Sequence, residues 1–413
     1  MRVFGRRLAQ DKGWTAGTHR TRSPAETVAD YARFMPVMGI TRLANVTGLD
    51  DIGMPVYIAI RPNSRGLSTS QGKGDTRDAA KASALMESIE NWHGERIERP
   101  LRYQSYAEIA RAVDAVDPRD VPRRAGGVLR LDAPILWLEG WDLLRERPSW
   151  VPYDSVHTNF VTPACGLGAF LSSTSGLASG NHTLEALCHA LCEVIERDAA
   201  TLHRLCSDRE REHRHVDLDT VGDAACRRVL DQLRAADMVV AAWDITTDVG
   251  VPTYTCQIVE GLERPRWRAV GLAEGHGCHL SPPVALLRAL TEAVQSRLTY
   301  ISGSRDDVLP RDYVACSNDD DWRRTVDQLT APRSRRSFAD RTSAAADRFE
   351  DDLATLLGSL RGAGIDSAVA VDLAKPVIGI PVVKLVVPGL ESVHTPAYVP
   401  GRRARARMAE EAA

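Results

Sequence analysis

The chain has 413 residues, 44% hydrophobic and 26% charged, with a formal net charge of −3. That balance excludes a nucleic-acid binder working by bulk electrostatics, and no run of about 18 apolar residues offers a membrane span. Eight cysteines stand singly with no C-x-x-C pair, which reads as reduced, mostly buried thiols in the cytoplasm.

Taken in order, the basic N-terminus "MRVFGRRLAQDKGW" lacks the apolar core of a secretory signal. Helical periodicity covers Ala25 to Gly39, and "MPVYIAIR" reads as a strand. A Gly-rich stretch, "STSQGKGDT", then leads into a helix predicted over Arg77 to Arg96. A second, "STSGLASGNHT", precedes a helix over Thr183 to Leu205. "MVVAAWDIT" and "PTYTCQIV" are β-branched runs, followed by a third Gly-rich stretch, "AEGHGCHLSPP", and a helix over Pro283 to Tyr300. All three Gly-rich stretches are expected to be turns. Arg305 to Asp352 reads as a charged surface excursion, with a helix over Ala344 to Ala363 beyond it. "DSAVAVDL" and "PVVKLVV" read as strands, and the tail "PGRRARARMAEEAA" as a frayed or helical end. The class is α+β.

The three main helices share a frame: "ALMESIENW", "ALCEVIERD" and "ALTEAVQSR", the last with Gln where the second Glu stood. Glu87 and Glu90 fall on one helical face, as do Glu193 and Glu196, with Glu185 and His189 on the stripe of the second pair. Like charges at this spacing cost some tenths of a kcal/mol on an isolated helix, and more beside a core unless a cation neutralises them. Carboxylates from two helices suit Mg²⁺, which leaves room for water and phosphate oxygens. The turns would offer backbone N–H groups at helix N-termini to phosphates. Either pair alone is better read as a solvated helix face; two in one frame favour a nucleotide–magnesium site. No G-x-x-x-x-G-K-[ST] occurs, so the site is not a Walker loop. "GHGCH" has no second ligand cluster and reads as a glycine-rich turn rather than a zinc site.

"STSGLASGNHTLEALCHALCEVIERDA" closely resembles the signature of the YcaO family, whose members activate peptide-backbone amides with ATP. "QGKGDTRDAAKASALMESIE" is similar to that family's first glutamate helix and "ALTEAVQSR" to a later one, so the resemblance spans His19 to Pro388. It implies a YcaO-type fold, with mixed sheets and glutamate-bearing helices around a non-Walker ATP site. The implied division is an N-terminal family-specific segment (1–60), a catalytic domain (61–390) and a polar tail (391–413). By resemblance Glu87, Glu90, Glu193 and Glu196 hold Mg²⁺ ions bridging the ATP phosphates. Ser175, Ala178, Asn181, Glu185 and Gln295 fall among cofactor contacts, and Arg20 and Thr27 where the family offers a basic residue and a hydroxyl. Arg197 and Arg297 match catalytic arginines, and Lys73, in its Gly-x-Gly turn, is expected to act as a mobile point charge. Asn91 departs from the Arg common after the first pair, and Ser175 from the Asn of the usual turn.

Transferring the γ-phosphoryl to an amide oxygen makes phosphate a leaving group, and the attacking nucleophile sets the product. "GITRLANVTGLDDIGMPVYIAIRPNSRGLSTSQGKG" and "SRLTYISGSRDD" resemble the subset that works with a TfuA protein. A fused peptide-clamp domain and a Pro-x-Pro-x-Pro tail are both missing. The resemblance therefore implies a thioamide synthetase acting on a ribosomally made precursor peptide or a protein, with a TfuA-like sulfur-delivery partner and as a homodimer. The alternatives are an azoline-forming cyclodehydratase and a non-catalytic peptide scaffold. Cys188 and Cys192, at i and i+4, are expected to be packing residues rather than a sulfur relay.

Overall fold

A computed structural model describes residues 2–161, 168–264, 270–331, 335–339, 341–392 and 395–412. Its frame is three units, each a short strand followed by a long helix. The first strand and helix are Thr69–Lys73 and Arg77–Glu95, the second Leu177–Ser179 and Thr183–Arg204, the third Ala273–Cys278 and Pro282–Ser302. The helices start where local chemistry allows. Thr76 Oγ1 caps the first by accepting the Ala79 N–H, His182 Nδ1 caps the second through Leu184, and prolines open the third.

The first strand edges an antiparallel sheet with Arg42–Asn45 and Val56–Ile60, and the third pairs with Thr253–Glu260, which also pairs with Met238–Asp244. The second ends a larger antiparallel sheet that runs through Val382–Val386, Val369–Asp372 and Ile135–Asp142 to Leu101–Gln104. These three strands are the stretches expected to be turns. Their glycines serve helix packing instead: a Cβ on Gly72 would lie 2.0 Å from the Ala84 nitrogen, and one on Gly277 2.1 Å from the Ala285 oxygen. At Gly72, Gly275 and Gly277 no side chain faces the helix, so in the first and third units the helix backbone settles directly on the strand.

Each strand also touches the helix of the preceding unit, closing a ring. The Ser179 N–H donates to Glu90 (2.7 Å), the Cys278 N–H to Glu196 (3.1 Å), and Gln295 Nε2 to the Gln71 carbonyl (3.3 Å). Behind the ring the helices bury Ala84, Leu85 and Ile89; Leu187, Leu191 and Ile195; and Ala289, Leu290 and Val294 in three separate cores.

The helix expected over Ala25 to Gly39 is broken. It runs Pro24–Tyr31, tightens over Ala32–Phe34 and restarts over Met35–Met38, ending at Gly39 with φ +73°. The excursion after Arg305 contains the helices Pro310–Cys316 and Asp319–Thr330, the second burying Val326 and Leu329 beside Trp243 and Val259. The tail forms a docked helix, Arg402–Ala412. Arg403 pairs with Asp198 at 3.0 Å, and the Gly401 and Ala404 N–H groups donate to Glu391 at 2.9 and 2.8 Å. The N-terminal segment is fastened to the same body through the Lys12–Asp352 pair at 2.5 Å. Among the described residues no helix is long and apolar enough to cross a membrane.

Candidate functional site

The ring turns one face of each long helix inward. Glu90 accepts from both the N–H and the hydroxyl of Ser179, each at 2.7 Å. Burial pushes its carboxyl up to about 8 against those hydrogen bonds, with Glu87 and Glu193 adding to the rise. Burial likewise pushes Glu87 up to about 7, with Lys73 and Arg305 opposing and Glu193 and Glu292 reinforcing. Glu193 is also raised by burial, opposed by Arg197. Glu196 is buried and held by the Cys278 N–H, and Arg197 lies 3.7 Å from Glu193 and 3.5 Å from Glu196. The first two helices thus hold more negative charge than the protein neutralises.

Among the described residues no three Asp, Glu, His or Cys side chains gather round a single point as a preformed metal cage. Glu87, Glu90, Glu193 and Glu196 are accordingly not drawn round one point. The fit is instead to separate ions, each held by one or two carboxylates with its remaining positions filled by phosphate or water, as Mg²⁺ prefers. Two further observations favour a ligand here. Gln295 Oε1 is buried with no partner, and so is Arg288 Nε.

On the flank of this cluster Glu185 accepts the Thr21 N–H at 2.9 Å and its hydroxyl, and lies 3.7 Å from Arg20. Thr27, which is buried, and the half-buried Asn181 meet at 3.2 Å. The structure therefore brings together Arg20, Thr27, Asn181 and Glu185 from segments far apart in sequence. A small cavity beside them is lined by His19, Arg20, Glu185, His189, His279 and Arg288. A larger cleft, lined by Glu210, Arg214, Asp244, Arg336 and Arg341 among others, shares no residue with the site; in it Arg214 pairs with Glu210 and Arg341 with Asp244.

Four expectations change. Arg297 does not reach the cluster: it is buried and ion-paired with Glu260 and, at 3.5 Å, with Asp50. Five residues beyond Glu292 it has rotated about 140° from it, which turns it toward Asp50 and Glu260. Ala178 is fully buried with its methyl in the core, which removes its side chain as a cofactor contact. Lys73 lies in a strand, not a turn, and pairs with Glu292 at 2.5 Å. "GHGCH" likewise lies largely in a strand. Ser175 remains at the turn before the second strand, where its carbonyl accepts from Lys384 at 2.8 Å. Cys188 and Cys192 are buried in the core, and burial raises the Cys188 thiol far above its ordinary range.

Three residues escaped the sequence reading. Glu292 is the third copy of Glu87 and Glu193; burial works to raise its carboxyl, but Lys73 and Arg197 outweigh it and hold it at about 2. Its signal, the shared "ALxE" frame, was in plain view. Arg288, one turn earlier, reaches His189 Nε2 at 3.0 Å. Lys384 stood out only as a lysine in an apolar run.

The family described as YcaO cyclodehydratase, ATP- and Mg²⁺-binding, matches residues 71–391. A Rhizobium leguminosarum bv. trifolii protein from the tfuA 3′ region is 36% identical over 90% of this chain and 88% of its own. A Methanothermobacter thermautotrophicus protein is 32% identical over 93% and 98%. Among solved structures, YcaO from Methanopyrus kandleri bound with AMPPCP and Mg²⁺ superposes with a TM-score of 0.71 at 22% identity, covering 95% of this chain and all of that one. A heterocyclase in complex with substrate and cofactor gives 0.75 at 23%, covering 94% of this chain but 54% of its own. At these identities the two structures speak to the fold. The ring of carboxylate helices and the family match over most of the length agree: this chain belongs to the YcaO family of ATP- and Mg²⁺-dependent enzymes.

Proposed function

We propose that this chain activates a backbone amide of a peptide or protein by O-phosphorylation, so that sulfur can replace the amide oxygen and leave a thioamide, with a TfuA-type protein delivering the sulfur. The reading rests above all on the 36% identity, along 90% of the chain, to a protein from a tfuA region. Amide, ATP and hydrosulfide go to thioamide, ADP and phosphate, the amide oxygen departing in the phosphate. Bound with Mg²⁺, ATP supplies the phosphoryl group and the charge neutralisation that its transfer requires.

The protein's share is placement. Glu87, Glu90, Glu193 and Glu196 would hold the Mg²⁺ ions, one or two carboxylates to each, and each of the last three has one oxygen fixed by a backbone N–H. Arg197, fixed by Glu193 and Glu196, presents a planar fork to a phosphoryl oxygen. Arg20, Thr27, Asn181 and Glu185 orient the nucleotide, with Gln295 Oε1 free to accept from it. The same reading assembles the chain as a homodimer.

A second reading, azoline formation on Cys, Ser or Thr of a precursor, is favoured by the heterocyclase likeness. Exact mass of a candidate precursor co-expressed with this protein and its TfuA-type neighbour separates the two. Exchange of oxygen for sulfur is expected, and loss of water would overturn the thioamide assignment. An unmodified peptide with no ATP turnover would favour a silent scaffold.

A further inference from the structure

Val382–Val386 is an interior strand whose residues are all buried, yet its centre is a lysine. Lys384 is 2% exposed, and burial lowers its ammonium to about 8 with Glu193 pulling the other way. An ammonium in such a place persists only when its protons find acceptors. Two are found in one turn: Lys384 Nζ donates to the carbonyls of Ser173 (2.6 Å) and Ser175 (2.8 Å). The turn is closed by the Leu177 N–H on the Thr174 carbonyl at 2.8 Å, and Gly176 follows with φ +77°. Gly176 is confined on both sides. Its carbonyl accepts the Leu385 N–H at 2.8 Å, and a Cβ would lie 2.8 Å from the Leu385 oxygen and from Val194 Cγ1. Its own N–H is thereby aimed at Glu193 Oε2, 3.3 Å away.

We infer that Lys384 is a positioning residue for Glu193: its ammonium draws the Ser173 and Ser175 carbonyls together, and the turn so fixed presents the Gly176 N–H that orients the carboxylate toward the metal. The inference rests on Glu193 being a metal ligand. Losing a second-layer partner of this kind typically weakens metal binding by about 10- to 100-fold. The opposite sign is expected if the lysine acted only through charge, because removing a cation beside a carboxylate tightens its hold on Mg²⁺.

The test is a Mg²⁺ titration of AMPPCP binding by calorimetry on full-length wild type, Lys384→Met, Lys384→Gln and Glu193→Gln. The lysine variants should need at least about tenfold more Mg²⁺ for half-saturation, at unchanged binding stoichiometry. A purely structural lysine would instead lower the stoichiometry and the melting temperature and leave the half-saturation point where it was. Lys384→Gln ends one bond short of the lysine nitrogen, so it loses the clamp on the two carbonyls while keeping a polar group in the strand, and it carries the measurement if the Met variant fails to fold. Unchanged or tighter Mg²⁺ response in a folded lysine variant, beside a lost response in Glu193→Gln, overturns the inference. A normal response in Glu193→Gln overturns the metal assignment on which it stands.

Discussion

Glu90→Gln should make the ligand-free protein more stable and abolish its activity. Burial raises Glu90 to about 8 and Glu87 to about 7, from ordinary values near 4.5. Between those limits the folded protein keeps protons that the unfolded chain has released, so stability falls as pH rises through the window from about 4.5 to about 8. Each unit of difference is worth about 1.4 kcal/mol. Both carboxylates retain partial solvent access, which screens the effect, so Glu90 alone is discounted to roughly 2–3 kcal/mol at pH 8. Gln keeps an acceptor for the Ser179 N–H and hydroxyl but carries no charge, so most of that loss should vanish in the variant. Thermal melts of wild type and Glu90→Gln from pH 5 to 8.5 test this, each with and without Mg²⁺ and AMPPCP. The ligand-free wild type should melt progressively lower above pH 5, the variant should flatten the curve, and only the wild type should recover on adding ligand. A wild-type melting temperature that holds or rises to pH 8 would refute the picture of under-neutralised carboxylates.

Arg197→Lys should reduce kcat far more than it weakens ATP binding, because the charge survives and the fork does not; single-turnover phosphate release set against nucleotide affinity decides, and weakened binding at an unchanged rate would make Arg197 an anchor. Gly277→Ala places a methyl 2.1 Å from the Ala285 oxygen, and it should cost roughly 3 kcal/mol or more of stability in denaturant melts if the strand and helix are as closely apposed as they stand here.

The three carboxylate helices were legible because a 3.6-residue apolar period survives in each, and their ends fell within a few residues of expectation. The strands feeding them were not, because Gly72, Gly275 and Gly277 are selected by a helix backbone that sequence spacing does not show. Pairings were hidden for a similar reason. Lys73 meets Glu292 across 219 residues, and Lys384 meets Ser175 across 209. Arg297 was assigned by its match to an arginine of the family motif, whereas its angle on the helix sends it to Asp50 and Glu260. Motif position locates a helix; it does not say which way each side chain leaves it.

The near-repetition of the frame has a physical reason once the ring is closed. Glu87, Glu193 and Glu292 hold the same place on three helices, and Glu90, Glu196 and Gln295 the next inward place. In the third unit the protein settles the charge itself: Lys73 pairs with Glu292, and Gln295 brings an amide instead of a carboxylate. In the first two units it does so only in part, through Arg197 beside Glu193 and Glu196, and burial still drives Glu87, Glu90 and Glu193 toward their protonated forms. With Gln at 295, the leftover negative charge lies on the first and second helices beside Arg197, which on the proposed reading is where Mg²⁺ and a phosphoryl group would meet.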